Sequence, residues 1–473
     1  MLFPTVEFAL FFVVALAVAW ELYRFPEWHK RFLLVASYVF YGFWNWLYVP
    51  LLLVISLIAG WVAQRIERTE DEALRKRWLI RGIAACLAAL VYYKYTGFIL
   101  TTAFGIWGIF GVPPAAPIAI PLLPIGVSFF VFHAISLLMD VYRRKLRGPV
   151  HMEDALLYVA FFPQLIAGPI LRASSFLPQL RVMRNPETIR VNRGLMLIVA
   201  GLFKKVIISN MLATRLVDPV FLVPQSYARW DTLLAVYGYA AQIYCDFSGY
   251  TDIAIGCALL LGYRFPRNFN SPYTATDPQD FWKRWHISLS SWLRDYLYIP
   301  LGGSRGTPRR TMINLMITML LGGLWHGAAW TFVIWGGLQG AYLAIHRLWA
   351  STKSETIQNL RETEGWTWIS RILMFHAVCF GWIFFRAPTF EIAFSILRNL
   401  SVAGAATLLT GPVLLVLVLG LAGQYQPRRW RKGIEGELAR WPAFARGAAL
   451  AAAVIGIELL GPSGVAPFIY FQF

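Results

Sequence analysis

Apolar runs of spanning length recur from one end of this chain to the other, and that recurrence limits what it can fold into. A helix crossing the hydrocarbon core of a bilayer needs ~20 mostly apolar residues, and lipid offers no hydrogen bond to an open backbone. Segments 4–23, 78–100, 118–139, 366–386 and 443–461 come to about that length, and 231–263 and 331–348 do so with polar residues among them. Of the 473 residues, 58% are hydrophobic and 14% charged, more apolar surface than a soluble core absorbs. The runs are continuous and do not alternate with period two, which argues against a transmembrane β-barrel. The expected class is all-α: a polytopic membrane helical bundle, one integral-membrane domain over residues 1–473, with no internal repeat and no soluble appendage.

Charge sets the expected orientation. The 43 basic residues outnumber the 25 acidic ones, for a formal charge of +18. In a soluble protein that balance would suggest nucleic acid. Here the lysines and arginines fall in short links between apolar runs, as the positive-inside rule and anionic headgroups favour. No base-stacking platform or zinc-knuckle spacing accompanies them, so membrane lipids are the expected partners and nucleic acid is not. Arg24, Lys30 and Arg31 follow the first run, and the charged stretch 65–77 follows a hairpin turning near Asn45. Both links then lie in the cytoplasm and the N-terminus outside. The opening residues lack a basic stretch and a small-residue cleavage site, and read as a retained span. Segment 102–117, rich in Gly and Pro, reads as an external loop or surface helix. Cys86, Cys245, Cys257 and Cys379 are scattered through apolar segments with no CxxC pair, and buried free thiols are expected.

Three stretches interrupt the apolar pattern. Residues 155–174 are broken by Pro163, Gly168 and Pro169 and carry basic residues on both flanks, so they read as re-entrant and not spanning. Non-helical backbone at that depth is tolerated only when packed in protein or lining a polar cavity. Lys204 and Lys205 sit inside 194–212, where a charge either serves a function or snorkels to the interface. Asp246, Ser248 and Asp252 sit among apolar neighbours in 231–263, as a functional site or as an interhelical polar cluster that holds the bundle together.

Residues 278–330 concentrate the remaining chemistry. At 100° per residue, 281–299 forms one amphipathic interfacial helix. Phe281, Trp282, Trp285, Leu289 and Trp292 share one arc, and Lys283, Arg284, Ser288, Arg294 and Asp295 the other. His286 lies on the apolar arc, where a satisfied structural histidine is the ordinary reading. Residues 264–310 hold eight basic and three acidic residues, which places this helix on the cytoplasmic side. His326 stands in GGLWHGAAW, after a run uncharged from Thr311 onward, among Gly322, Gly323 and Gly327, which let backbones approach closely. A neutral imidazole in such a place can take a proton from a hydroxyl while its oxygen attacks an acyl carbon. A structural or transport histidine is the alternative. No GxSxG elbow, Walker loop, HExxH or Rossmann glycine pattern competes, and no metal is expected.

The segments FFPQLIAGPI (161–170), GLFKKVIISN (201–210), QIYCDFSGYTDIAIG (242–256) and RFPRNFNSPY (264–273) now combine with FWKRWHISLSSWLRDYLYIPLGG (281–303), LLGGLWHGAAWTFVIWGGLQG (320–340) and PFIYFQF (467–473). Together they resemble the membrane-bound O-acyltransferase superfamily, in its bacterial alginate O-acetylation branch, over nearly the full length. The resemblance implies roughly eleven spanning helices with re-entrant pieces. It implies His326 as the essential catalytic histidine and His286 as a second signature position near the cytoplasmic mouth of a channel. It also implies acetyl-CoA as cytoplasmic donor, with no permanently bound cofactor. The recipient would be a periplasmic, SGNH-like acetyltransferase partner modifying an exopolysaccharide across a bacterial inner membrane. On that reading Trp285 lies where the thioester arrives, and Lys283, Arg284 and Arg294 would form a basic mouth for a phosphate-rich donor. Asp246 would orient a histidine or line the tunnel near Ser248. D-alanyl transfer, peptidoglycan acetylation and lipid or protein acylation stay open. So does transport without chemistry, against which the absence of inverted repeats counts. The apolar C-terminus docks either on the bundle or on a partner.

Overall fold

Every regular element among the described residues is helical, as a chain of recurrent apolar runs requires. The structure is a computed structural model and describes residues 1, 3–110, 120–182, 185–352, 354–462 and 469. Its contacts fall into two units, Met1–Arg190 with Cys257–Pro266, and Val191–Gly256 with Arg267–Phe473.

The first unit contains α1 (Val6–Glu21), α2 (Pro26–Gly42), α3 (Val49–Arg68), α4 (Glu72–Leu90) and α5 (Thr96–Ile109). It continues with α6 (Val127–Tyr142), α7 (Met152–Ala160), α8 (Phe162–Leu165) and α9 (Ala173–Leu180). Short polar side chains set the helix starts by taking free backbone N–H groups. Thr5 accepts from Phe8 at the head of α1, and Asp71 from Ala73 at the head of α4. Asn45 turns the α2–α3 hairpin, its side chain accepting from Leu47. α6 is buried along almost its whole length, against α3, α4, α7 and α9. Residues 155–174 are broken as expected: α7 has nine residues, too few to span, and the chain bends at Phe161 and again after Leu165. The bends are satisfied inside the protein. Phe162 N–H donates to Ser37 Oγ at 3.1 Å, and the Tyr158 hydroxyl donates to the Leu171 carbonyl at 2.8 Å.

The second unit opens with α10 (Val191–Leu202), α11 (Asn210–Leu212) and α12 (Asp218–Leu222), which π turns at 203–209 and 213–217 join into one continuous rod. α13 (Arg229–Leu260) crosses that rod where both carry glycine. A Cβ on Gly249 would lie 2.7 Å from the Gly201 carbonyl oxygen, and one on Gly201 would lie 2.6 Å from that of Gly249. Then come α14 (Pro278–Arg284), α15 (Ile287–Leu293), α16 (Pro308–His326), α17 (Trp330–Ala350), α18 (Glu355–Glu362) and α19 (Glu364–Arg386). The remainder is α20 (Phe390–Asn399), α21 (Gly411–Ala422), α22 (Arg428–Arg440) and α23 (Ala443–Leu460).

Six helical segments among the described residues are long and apolar enough to cross a membrane: Val6–Arg24, Trp46–Arg68, Glu72–Ile109, Val191–Leu222, Glu364–Arg386 and Ala443–Leu460. Val127–Tyr142 and Gly411–Tyr425 are shorter apolar helices. Length and composition alone therefore stop short of roughly eleven. α13, α16 and α17 are long enough but carry polar residues, among them Asp246, Asn314 and Gln339. The segment read as an external loop or surface helix is helical through Ile109, and 111–119 lie outside the described residues.

Valine at Gly249 should overpack the α10–α13 crossing by about 1–3 kcal/mol and lower the melting temperature in detergent. Gly105→Val, where nothing lies within 4 Å of the added carbon, should leave it nearly unchanged.

Candidate active site

The stretch read as one amphipathic helix over 281–299 is a hairpin instead. α14 starts at Asp277, whose side chain accepts from Asp280 N–H at 2.8 Å, with proline as its first residue. It ends at Trp285, whose backbone is extended, and His286 follows in the left-handed region (φ 41°, ψ 54°). α15 then leads into a π turn at 294–298. The two arms run in opposite directions along the helices behind them. On the way in, Asp277 lies beside His346 and Trp282 against Trp335 of α17. On the way out, Leu293 lies near Gly322, and the Gly303 carbonyl accepts from Asn314, both on α16. His286 is the apex.

A positive φ is uncommon for a residue other than glycine, and Asn268 supports this one. Its carbonyl accepts from Ile287 N–H at 2.9 Å. Its side-chain Oδ1 accepts from Ser288 N–H at 3.1 Å and Ser288 Oγ at 2.9 Å, and lies 3.3 Å from His286 Nδ1.

His326 is the last residue of α16, and the sharp α16–α17 hairpin positions it. The two helices touch at Gly323 and Gly336, where an added carbon would run into the Phe332 and Met319 carbonyls. That closeness sets the His326 ring 5.0 Å from Trp335. The two imidazole centroids are 6.5 Å apart at 63°, with His286 0% and His326 3% exposed. Around them stand Phe247 of α13, 4.5 Å from His286, Trp325, which touches both rings, and Phe385 of α19, 5.2 Å from His326. The result is a dry aromatic box with two imidazoles inside. His286 lies outside the spanning segments, and burial pulls its pKa well below the ordinary value, so the ring is neutral at pH 7. Trp285 packs behind the apex between Phe281 and Trp382.

The other expected site residues lie elsewhere in this unit. Asp246 is buried and ion-paired with Lys205, and it also accepts from Ser209 Oγ and from Ile469 N–H at 2.9 Å. Its neighbour Phe247 is the α13 residue that meets His286, and that imidazole is hydrogen-bonded through Nδ1 to Asn268 Oδ1, which accepts. Lys204 pairs with Asp252 at 2.6 Å and donates to Ser248 at 3.0 Å. Of the two readings of this cluster, the geometry displays the interhelical one. Lys204 and Lys205 each pair with a carboxylate of α13. Lys283 is exposed, Arg284 pairs with Asp280 at 2.8 Å, and the exposed Arg294 pairs with Asp295 at 2.6 Å. Of the C-terminal heptapeptide only Ile469 is described, and it is buried against Asp246.

Two features were not foreseen. Asn268 lies within the quoted RFPRNFNSPY segment, yet nothing in its spacing marks it as a histidine partner. A cavity of about 440 Å³ is lined by Asp277, His346, Trp349, Arg361, Trp366 and Ser370, among others. It does not enclose the histidines. From Trp335 to His346 along α17 is about 16 Å at 1.5 Å per residue, so cavity and aromatic box occupy opposite ends of α14, α17 and α19. Arg361 stacks over Trp349 at 4.8 Å, and its buried Nε has no hydrogen-bond partner among the described residues. His346 lies 3.7 Å from Asp277. Among the described residues no cluster of metal-ligating side chains occurs, and all four cysteines are buried and free.

Two buried imidazoles in a water-excluding box suit transfer of a group that water would otherwise hydrolyse. Residues 126–385, which contain both histidines, match the model of the membrane-bound O-acyltransferase family. The chain belongs to that family and is an acyltransferase, embedded in a membrane by several apolar helices. It is 43% identical over 366 residues to the probable alginate O-acetylase AlgI of Azotobacter vinelandii, covering 76% of this chain and 70% of that one. To the peptidoglycan O-acetyltransferase of Helicobacter pylori it is 37% identical over 401 residues, 79% and 74% of the two chains. To the teichoic acid D-alanyltransferase of Bacillus subtilis it is 28% identical over 277 residues, 56% and 69% of the two.

Breaking the Lys205–Asp246 pair on one side should cost on the order of 3–5 kcal/mol, because the remaining charge stays buried. Lys205→Met and Asp246→Asn should each melt well below wild type in detergent. The double substitution should recover much of the loss, and a double as unstable as the sum of the singles would contradict the pairing.

Proposed function

We propose that this protein passes an acetyl group from acetyl-CoA in the cytoplasm to an acceptor on the far side of a bacterial inner membrane, for O-acetylation of an exopolysaccharide such as alginate. The observation that carries this reading is the pair of buried imidazoles of His286 and His326 inside one aromatic box in a member of an acyl-transfer family. Acetyl is favoured over D-alanyl because the acetylating relatives are the more similar, at 37–43% identity against 28%. A periplasmic, SGNH-like acetyltransferase partner would carry the group onward to the polysaccharide, and the basic links after the first span favour an N-terminus on that same side.

In the proposed step His326 is the general base. It takes the proton of the acceptor hydroxyl as that oxygen attacks the thioester carbonyl carbon. The new C–O bond forms, the C–S bond breaks, and the departing thiolate leaves with the proton that His326 received. Trp285, Trp335 and Phe385 keep water from competing. The donor's nucleotide end would rest in the cavity at the opposite end of α14, α17 and α19. There Trp349 and Trp366 offer ring faces, and Arg361 and His346 offer charge and hydrogen bonds to phosphate. Arg305, Arg309, Arg310 and Arg347 gather toward that end, which favours the cytoplasm for it.

The test is ester-linked acetate on the extracellular polysaccharide, in cells carrying wild type, His326→Ala or His286→Ala at matched membrane levels. Loss in the first variant and a partial or full loss in the second is expected; full acetylation in both would overturn the reading. D-alanine released by mild alkali in place of acetate would move the protein to the D-alanyl branch. In membranes assayed with acetyl-CoA, Arg361→Ala should raise the donor KM by roughly 10-fold or more, as the loss of a charged hydrogen bond does, with kcat little changed.

A further inference from the structure

We infer that Asn268 is a positioning residue that holds the His286 imidazole in its Nδ1–H form and leaves Nε2 as a bare acceptor. The inference rests on which atoms can donate. The Ser288 peptide nitrogen lies 3.1 Å from one end of the Asn268 amide. A peptide N–H only donates, so that end is the oxygen, and the amide cannot be turned over without losing this bond. The same oxygen takes the Ser288 hydroxyl at 2.9 Å and lies 3.3 Å from His286 Nδ1. An amide oxygen has no hydrogen to give, so the hydrogen on that third contact belongs to Nδ1. A neutral imidazole has one N–H, and Nε2 therefore carries the lone pair. A second proton would place a cation at 0% exposure among Phe247, Phe269, Trp325 and His326. Nε2 is itself buried, with no hydrogen-bond partner among the described residues.

This gives His286 a definite part in the acyl transfer proposed above, on which the chemical consequence rests. With Nε2 bare, His286 accepts a hydrogen bond from a bound substrate and cannot supply one. It therefore receives an N–H or O–H of the substrate, as in the amide N–H groups of a pantetheine arm. It does not protonate the leaving sulfur or stabilise the oxyanion through Nε2.

The experiment is nitrogen NMR on the full-length protein in detergent, labelled with 15N-histidine. The His286 ring signals are assigned as those lost in His286→Asn, a residue that tolerates the left-handed backbone. Wild type should show protonated Nδ1 and bare Nε2 at neutral pH. Asn268→Leu should abolish that preference and lower acetyl transfer by about 10- to 100-fold, the scale on which removing a histidine's orienting partner acts. Asn268→Asp keeps an acceptor oxygen, so Nδ1 should stay protonated, and its charge should let Nε2 take a second proton at a higher pH than in wild type. Protonated Nε2 in wild type, or an unchanged signature in Asn268→Leu, would overturn the inference. If Asn268→Leu does not fold, the wild-type and Asn268→Asp spectra still decide. The tautomer is read without any turnover, so a correct signature beside full acetylation in His326→Ala would remove the acyl-transfer scheme and leave the Asn268 assignment standing.

Discussion

A break in the backbone shut away from water has to find its hydrogen bonds within the protein. The active-site hairpin is built around that requirement. The chain reverses at Trp285–His286, and the first two peptide groups after the reversal, those of Ile287 and Ser288, are both satisfied by one residue, Asn268. The first unit meets the same requirement at its own break, where Phe162 N–H goes to Ser37 and the Tyr158 hydroxyl to the Leu171 carbonyl. A polar side chain offered at a bend lets the chain turn where a lipid-facing chain could not. At the His286 apex that same side chain also fixes the ring.

Close helix crossings supply the rigidity. Without water to drive helices together, intimate backbone contact is what binds them in a membrane, and glycine permits it. Gly201 and Gly249 bring α10 and α13 near enough for Lys205 to reach Asp246 and Lys204 to reach Asp252. Consecutive residues on an ordinary α-helix point 100° apart, yet both lysines find acids on the same partner. The π turn at 203–209 that contains them holds more residues per turn, so neighbouring side chains diverge less. The same use of small residues at Gly323 and Gly336 draws α16 onto α17 and carries His326 to Trp335.

Much of this was legible in the sequence. The apolar runs gave α1, α19 and α23 to within two residues, Asn45 marked the α2–α3 turn, and Pro163 with Gly168 marked the broken stretch of 155–174. The two histidines stood out by their surroundings. What stayed hidden has a physical cause. Hydrophobic periodicity reports which side chains are buried, and both arms of the 278–298 hairpin are buried on the same aromatic side. The 3.6-residue pattern therefore runs unbroken through the apex. A glycine there would have signalled the turn, but a histidine takes the left-handed conformation, and its support comes from Asn268, eighteen residues away. The π turns leave no composition signal, and the Arg361 cavity joins elements that no spacing relates. Asp246, picked out because a carboxylate among apolar residues is costly, is balanced by Lys205 instead of facing a histidine.

The separation of the two imidazoles limits how protons can move in the proposed transfer. Two positive charges 6.5 Å apart would repel by roughly 2.5 kcal/mol even at an effective dielectric of about 20, and burial penalises each cation further. The box therefore favours one imidazolium at a time. With His286 held as Nδ1–H by an amide oxygen, a hydroxyl proton released in the box has His326 as its resting place. A carboxylate in place of Asn268 would instead invite the charge onto His286. An uncharged acceptor at that position keeps the second ring neutral while the first one works. It orients His286 without making it a competing base, so the two histidines can share a box too small for two charges.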